Sequence, residues 1–75
     1  MSALSEKVVL ISTNYLGPAT LKFLQRQTSA HMNGLNLNDL EKEDLVALSK
    51  WIQISAALLI DPAKAKELAD KIAKL

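Results

Sequence analysis

Residues 43–62 read EDLVALSKWIQISAALLIDP, and this stretch decides the fold. Its acidic start suits the positive end of a helix dipole. Apolar residues then recur at helical spacing, at Leu45, Leu48, Ile52 and Leu59. Others widen this stripe in the second half, namely Trp51, Ile54, Leu58 and Ile60. A helix that is apolar nearly all round is buried on several sides. We therefore predict a helix over residues 43–60 with more apolar surface than so short a chain can cover, which indicates a partner.

The dipeptide Asp61-Pro62 separates this helix from the last one. Aspartate is a favoured N-cap and proline a favoured first helical residue, so the next helix begins at Pro62. Within it, apolar residues repeat at intervals of three, four and three, at Ala65, Leu68, Ile72 and Leu75. This spacing is typical of a coiled-coil seam. It predicts a helix over residues 62–75 that packs along a second helix.

A second corner lies upstream at Gly17-Pro18. Glycine suits the position after a helix end and proline the start of the next helix. We therefore predict helices over residues 4–16 and 18–33, with Asn33-Gly34 ending the second. The run from Val8 to Ile11 also fits a strand, but the helical spacing on both sides favours helix.

The connector over residues 35–42 completes the chain. Asn38 and Glu41 stand at capping-box spacing, which predicts a short extra turn near residues 39–42. The expected fold class is all-α, a compact bundle of four main helices at about 4–16, 18–33, 43–60 and 62–75. No linker or repeat divides the sequence, so residues 1–75 form a single domain.

Composition narrows the functional class. The chain has no cysteine, which removes disulfides and thiolate metal ligands, and its net charge is +1. The most apolar run, residues 51–60, is too short to span a bilayer. The first residues lack the features of a signal peptide. We expect no membrane span and a cytoplasmic protein.

No group of residues predicts catalysis or metal binding. His31 is the only histidine and has no neighbouring carboxylate or nucleophile motif. The acidic cluster does not fit a calcium loop because Gly34 precedes it; the cluster comprises Asp39, Glu41, Glu43 and Asp44. These carboxylates fit helix capping better. We predict a non-enzymatic protein with no catalytic, cofactor or metal site.

The corner carries a resemblance to known proteins. The residues Tyr15-Leu16-Gly17-Pro18-Ala19, followed by Phe23-Leu24, resemble an (I/L)-G-P-(I/A) helix corner of small helical accessory modules in bacterial signalling proteins. Such modules occur as tails associated with kinases, response regulators and roadblock-type proteins. The resemblance covers about residues 8–60 in helix order, and it implies a non-catalytic interaction module.

The leading hypothesis is a protein-interaction module that self-associates, most simply as a two-fold homodimer, the commonest closed assembly. Its candidate interface residues are the large apolar ones of the last two helices, namely Trp51, Ile54, Leu58, Leu68, Ile72 and Leu75. The same interface residues could instead bind a different protein, which is the second version of this hypothesis.

Two alternatives remain open. The first is a small DNA-binding regulator whose helix over residues 18–33 presents Lys22, Gln25 and Arg26. Few cations and an acidic connector argue against it, so we do not expect nucleic acid to be the main partner. The second is a carrier of an apolar ligand, with a cavity among Trp51, Leu58 and Ile72.

Overall fold

The chain folds into helices joined by short turns, and the structure, a computed structural model, describes all 75 residues. Helix α1 spans Ala3–Leu16, α2 spans Thr20–His31, α3 spans Leu45–Ala56 and α4 spans Pro62–Ala73. Single 3₁₀ turns lie at Gly17–Ala19, Leu37–Asp39 and Lys42–Asp44. There is no strand, so the all-helical prediction is confirmed and the region around Val8 is helical.

Several helix boundaries differ from the prediction. Helix α3 ends at Ala56 instead of residue 60, because the chain must turn before Asp61, which is extended at ψ 131° ahead of proline. Three hydrogen-bonded turns follow α3, with the amides of Leu58, Leu59 and Ile60 bonded to carbonyls of residues 55 and 56. Helix α2 begins at Thr20 instead of residue 18, because the corner itself forms the 3₁₀ turn Gly17–Ala19.

The connector also differs from the prediction. It contains two 3₁₀ turns on either side of residues 40–41 instead of one over residues 39–42. The Asn36 side chain accepts a hydrogen bond from the Asn38 amide at 2.9 Å, so Asn36 begins the first turn in place of Asn38. The Glu41 amide donates to Asp44 Oδ2 at 2.9 Å and begins the second. Short polar side chains therefore cap each turn locally.

The core lies where α3 and α4 face each other, with α2 against α3 and α1 against α2 and α4. Its largest fully buried apolar side chains come from all four of these helices, namely Val8, Leu24, Leu48, Ile52, Leu68 and Ile72. Leu37 and Leu40 of the connector are also buried, which fixes the connector to the core. The molecule is compact, with principal extents of 28 × 22 × 21 Å. None of its helices combines the length and the apolarity needed to cross a membrane.

Two buried serines of α1 have opposite hydrogen-bonding states. Ser5 Oγ donates to the Leu37 carbonyl oxygen at 2.6 Å and so ties α1 to the connector. Ser12 Oγ is equally buried and has no hydrogen-bond partner. A buried hydroxyl without a partner lowers stability, because it has lost its hydrogen bonds to water.

We expect alanine at these two positions to act in opposite directions. Ser5→Ala should lower the free energy of unfolding by about 1 kcal/mol, since the Leu37 carbonyl keeps its bond to the Leu40 amide. Ser12→Ala should leave the stability unchanged or raise it by up to about 1 kcal/mol, because it removes an unpaired group and improves helix propensity. Urea denaturation of both variants beside the wild type measures the two signs, and a loss at Ser12 as large as that at Ser5 would contradict the assignment.

Candidate interaction surface

The outer face of α3 carries a stripe of exposed apolar side chains. Val46 is 74% exposed and Ile54 50% exposed, and Leu58 in the turn after α3 is 85% exposed. Val46 and Ile54 lie eight residues apart, which places them on one side of α3 with exposed Lys50 between them, and Leu58 follows in the turn beyond the helix. We call Val46, Ile54 and Leu58 the α3 stripe.

The stripe is exposed because the rest of the chain covers only the opposite face of α3. Leu48 and Ile52 on that face are fully buried against neighbouring helices. Helix α1 packs on α2 and α4 instead of on α3, so no further helix reaches the outer side. The apolar pattern of residues 43–60 predicted burial of this helix on several sides, but the chain itself buries only one face of α3.

A groove runs beside the stripe, between α2 and the chain segment that ends α3. It encloses about 400 Å³ and is open to solvent. Its apolar lining includes Phe23, Leu58 and Leu59, and its charged lining comes from Lys22 and Arg26 of α2. The groove therefore offers apolar contact together with positive charge. We call it the α2–α3 groove.

Two side-chain contacts fix the walls of this groove. Ser55 Oγ donates to Gln27 Oε1 at 2.9 Å, which joins α3 to α2. The rings of His31 and Trp51 stack with their centroids 4.1 Å apart and an angle of 9° between their planes. His31 is exposed and Trp51 is half-buried, so the stack lies at the edge of the surface. The only tryptophan of the chain therefore stands next to the groove and can report on binding there.

The structure separates the predicted interface residues into three groups, which are buried, partly buried and exposed. Leu68 and Ile72 are fully buried in the core, so they do not belong to a surface. A seam spacing looks the same whether the facing helix belongs to the same chain or to another, and here it is α3 of the same chain. Leu75 is partly buried against the core, as is Trp51 at its edge of α3. Only Ile54 and Leu58 are largely exposed.

Sequence reasoning missed several members of this surface. Val46 and Leu59 were assigned no interface role, although both are exposed. Val46 lies on the same side as Ile54 by eight-residue spacing, a signal that the sequence contained. The stacking of His31 on Trp51 could not be predicted, because it depends on how α2 and α3 cross.

The residues of the DNA-binding and ligand-carrier hypotheses lie in different environments. Lys22, Gln25 and Arg26 are all exposed on α2, and the two cations line the α2–α3 groove. For the carrier hypothesis, Ile72 lies in the packed core while Leu58 lies at the surface. These two side chains therefore do not share the expected cavity.

A separate polar cluster joins α1 to α4. The Tyr15 hydroxyl donates to Glu67 Oε2 at 2.6 Å, and Lys71 Nζ lies 5.1 Å from the centre of the Tyr15 ring. The hydrogen bond from Tyr15, helped by the charge of Lys64, lowers the pKa of Glu67. Interaction with Tyr15 raises the pKa of Lys71. The cluster fits a link between two helices, since each charge has a partner within the chain.

We expect the Tyr15→Phe substitution to raise the pKa of Glu67 towards that of a free glutamate. A carboxylate whose pKa is lowered by folding adds stability above the pKa of the unfolded state, and this part is lost as the pH falls through the folded value. The variant should therefore lose less stability than the wild type on acidification. Carboxyl NMR titration of Glu67 measures the shift. Lys64→Gln is the matched control and should have the smaller effect, because the hydrogen bond is the larger cause.

No three histidine, aspartate or glutamate side chains come together at distances suited to a metal ion. Comparison of the chain with protein-family models, with curated proteins and with solved structures finds no match. The function is therefore inferred from the surface alone.

Proposed function

We propose that this chain is a non-enzymatic interaction module that self-associates through the α3 stripe. The observation that carries the proposal is the exposure of three large aliphatic side chains, with Val46 and Ile54 on one side of α3 and Leu58 in the turn that follows it. Fully burying such a side chain stabilises a complex by about 1.5–3 kcal/mol relative to leaving it in water. This apolar stripe beside a groove is therefore the part of the molecule with most to gain from a partner, although Lys50 lies between two of its members.

The partner we propose is a second copy of the chain, in a two-fold dimer. Such an interface uses the same stripe on both protomers, so one apolar surface is sufficient to form it. The resemblance of the Gly17-Pro18 corner to accessory modules of bacterial signalling proteins adds the hypothesis that the dimer acts as a signalling accessory in the cytoplasm. The four main helices would then form the scaffold that presents the stripe.

The proposal is tested by removing the apolar contacts without shortening the side chains. We expect the wild type to show a mass that rises with concentration towards that of a dimer, and the Ile54→Gln/Leu58→Gln variant to remain a monomer over the same range. Light scattering on a sizing column measures both masses. Glutamine is chosen because it is polar and keeps good helix propensity.

The matched control is Leu10→Gln on α1. Leu10 is 69% exposed and so is as apolar and as accessible as the stripe, but it belongs to a helix that does not pack on α3. This variant should dimerise like the wild type. A wild type that stays monomeric at every concentration rejects self-association, and equal loss of dimer in the control would place the interface elsewhere.

The second candidate function is DNA binding through α2, which is favoured by the exposure of Lys22, Gln25 and Arg26 on one helix. It predicts an affinity for duplex DNA that falls steeply as salt is added and that depends on both cations. Fluorescence anisotropy with a labelled duplex at low salt separates it from self-association. Absence of binding under those conditions removes this candidate.

A further inference from the structure

The side of α3 that carries the stripe has opposite charges at its two ends. Glu43 is exposed in the 3₁₀ turn that leads into α3, three residues before Val46. Lys22 and Arg26 line the α2–α3 groove beside Leu58, at the other end. Helix α3 lies between these ends, and its 12 residues are about 18 Å long. The surface therefore has an acidic end, an apolar middle that also contains Lys50, and a basic end.

We propose that α3 of a second copy lies antiparallel on this surface, around a two-fold axis that passes near Lys50. This inference rests on the proposed self-association and specifies its geometry. Val46 of one copy then packs against Ile54 of the other, and Glu43 of one copy reaches the basic α2–α3 groove of the other. The symmetry creates each of these contacts twice.

Charge complementarity selects the antiparallel orientation. A parallel pair of α3 helices would bring Glu43 against Glu43 and the cations of one groove against those of the other, and both contacts are repulsive. The antiparallel pair replaces them with two attractions, and it also opposes the two helix dipoles. Exposed ion pairs contribute little affinity individually. The apolar stripe therefore supplies most of the affinity, and the charges determine the orientation.

Lys50 makes the axis position testable. It lies midway between Val46 and Ile54 in sequence, so an axis that pairs those two residues places Lys50 opposite Lys50 of the second copy. Its flexible side chain can hold the ammonium group away from the axis, but the like charges still oppose association. Lys50→Gln should therefore strengthen the dimer, by roughly two- to fivefold at low ionic strength.

Charge reversal tests the orientation directly. The Lys22→Glu/Arg26→Glu variant replaces both cations of the groove by carboxylates, and the Glu43→Lys variant replaces the carboxylate at the opposite end by a cation. Each variant alone should dimerise roughly tenfold more weakly than the wild type, because both symmetric contacts become repulsive. An equimolar mixture should recover dimer as the heterodimer, in which every acidic end again meets a basic end. Native mass spectrometry distinguishes this heterodimer by mass, and circular dichroism melts check that each variant is folded.

The outcomes separate this inference from the function on which it rests. Weak homodimers together with a strong heterodimer support the antiparallel arrangement. A wild-type dimer that Ile54→Gln/Leu58→Gln disrupts but that neither charge reversal weakens overturns the orientation and leaves self-association in place. Reversals that weaken the dimer without recovery on mixing also overturn it, because the two ends then do not meet. A wild type that never dimerises rejects both proposals.

Discussion

Replacing Leu68 by alanine is expected to lower the free energy of unfolding by about 2–5 kcal/mol, the usual range for a buried leucine. Leu68 is fully buried in α4, where the seam faces α3, so the truncation removes apolar contacts and leaves a cavity. A chain of 75 residues has a total stability of only about 4–11 kcal/mol at the usual value per residue. The variant should therefore lose a large part of its stability.

Leu58→Ala is the matched control for this prediction. It removes the same atoms from a side chain that is 85% exposed, so its effect on the stability of the monomer should stay within about 0.5 kcal/mol. Dimer formation would add a contribution that depends on concentration, so both substitutions are best compared in the Ile54→Gln background. Urea denaturation followed by Trp51 fluorescence gives the two values. Equal losses at Leu58 and Leu68 would contradict the placement of one at the surface and the other in the core.

The features that the sequence could predict are those that depend on neighbouring residues in the chain. The all-helical class and the corners at residues 17–18 and 61–62 follow from local chemistry, since proline, glycine and a capping aspartate act on their immediate neighbours. The Asp61 carboxylate accepts a hydrogen bond from the Ala63 amide at 2.7 Å, as expected for a cap. Side-chain periodicity likewise predicted which face of α4 would be covered.

The sequence could not predict what covers each face. Leu58 and Leu68 are the same residue type at helical spacing within their own segments, yet one is at the surface and the other in the core. The difference depends on how many helices surround α3 and α4, and this is a property of the whole chain. Of the predicted interface residues, Ile54 and Leu58 are therefore exposed, whereas Leu68 and Ile72 lie in the core.

The second large effect is expected at the corner between α1 and α2. Gly17 has φ 60° and ψ −138°, the mirror image of the extended conformation, which an L-residue with a Cβ atom rarely adopts. A Cβ atom added there would meet no atom within 4 Å, so the cost of a substitution comes from the backbone alone. Gly17→Ala should therefore lower the free energy of unfolding by about 1–3 kcal/mol.

The sharpest control uses the opposite chirality at the same position. D-alanine favours the mirror-image conformation, so a chain made by chemical synthesis with D-alanine in place of Gly17 has no backbone strain. It should be more stable than the wild type by about 0.4–1 kcal/mol, because the added methyl group restricts the unfolded chain. Thermal and urea denaturation of the L-alanine, D-alanine and glycine forms measure the order of their stabilities.

The three forms share every other contact. An L-alanine form as stable as the D-alanine form would therefore mean that the corner does not need the conformation seen at Gly17. The predicted order would instead show that the native fold requires this backbone conformation at the corner between α1 and α2.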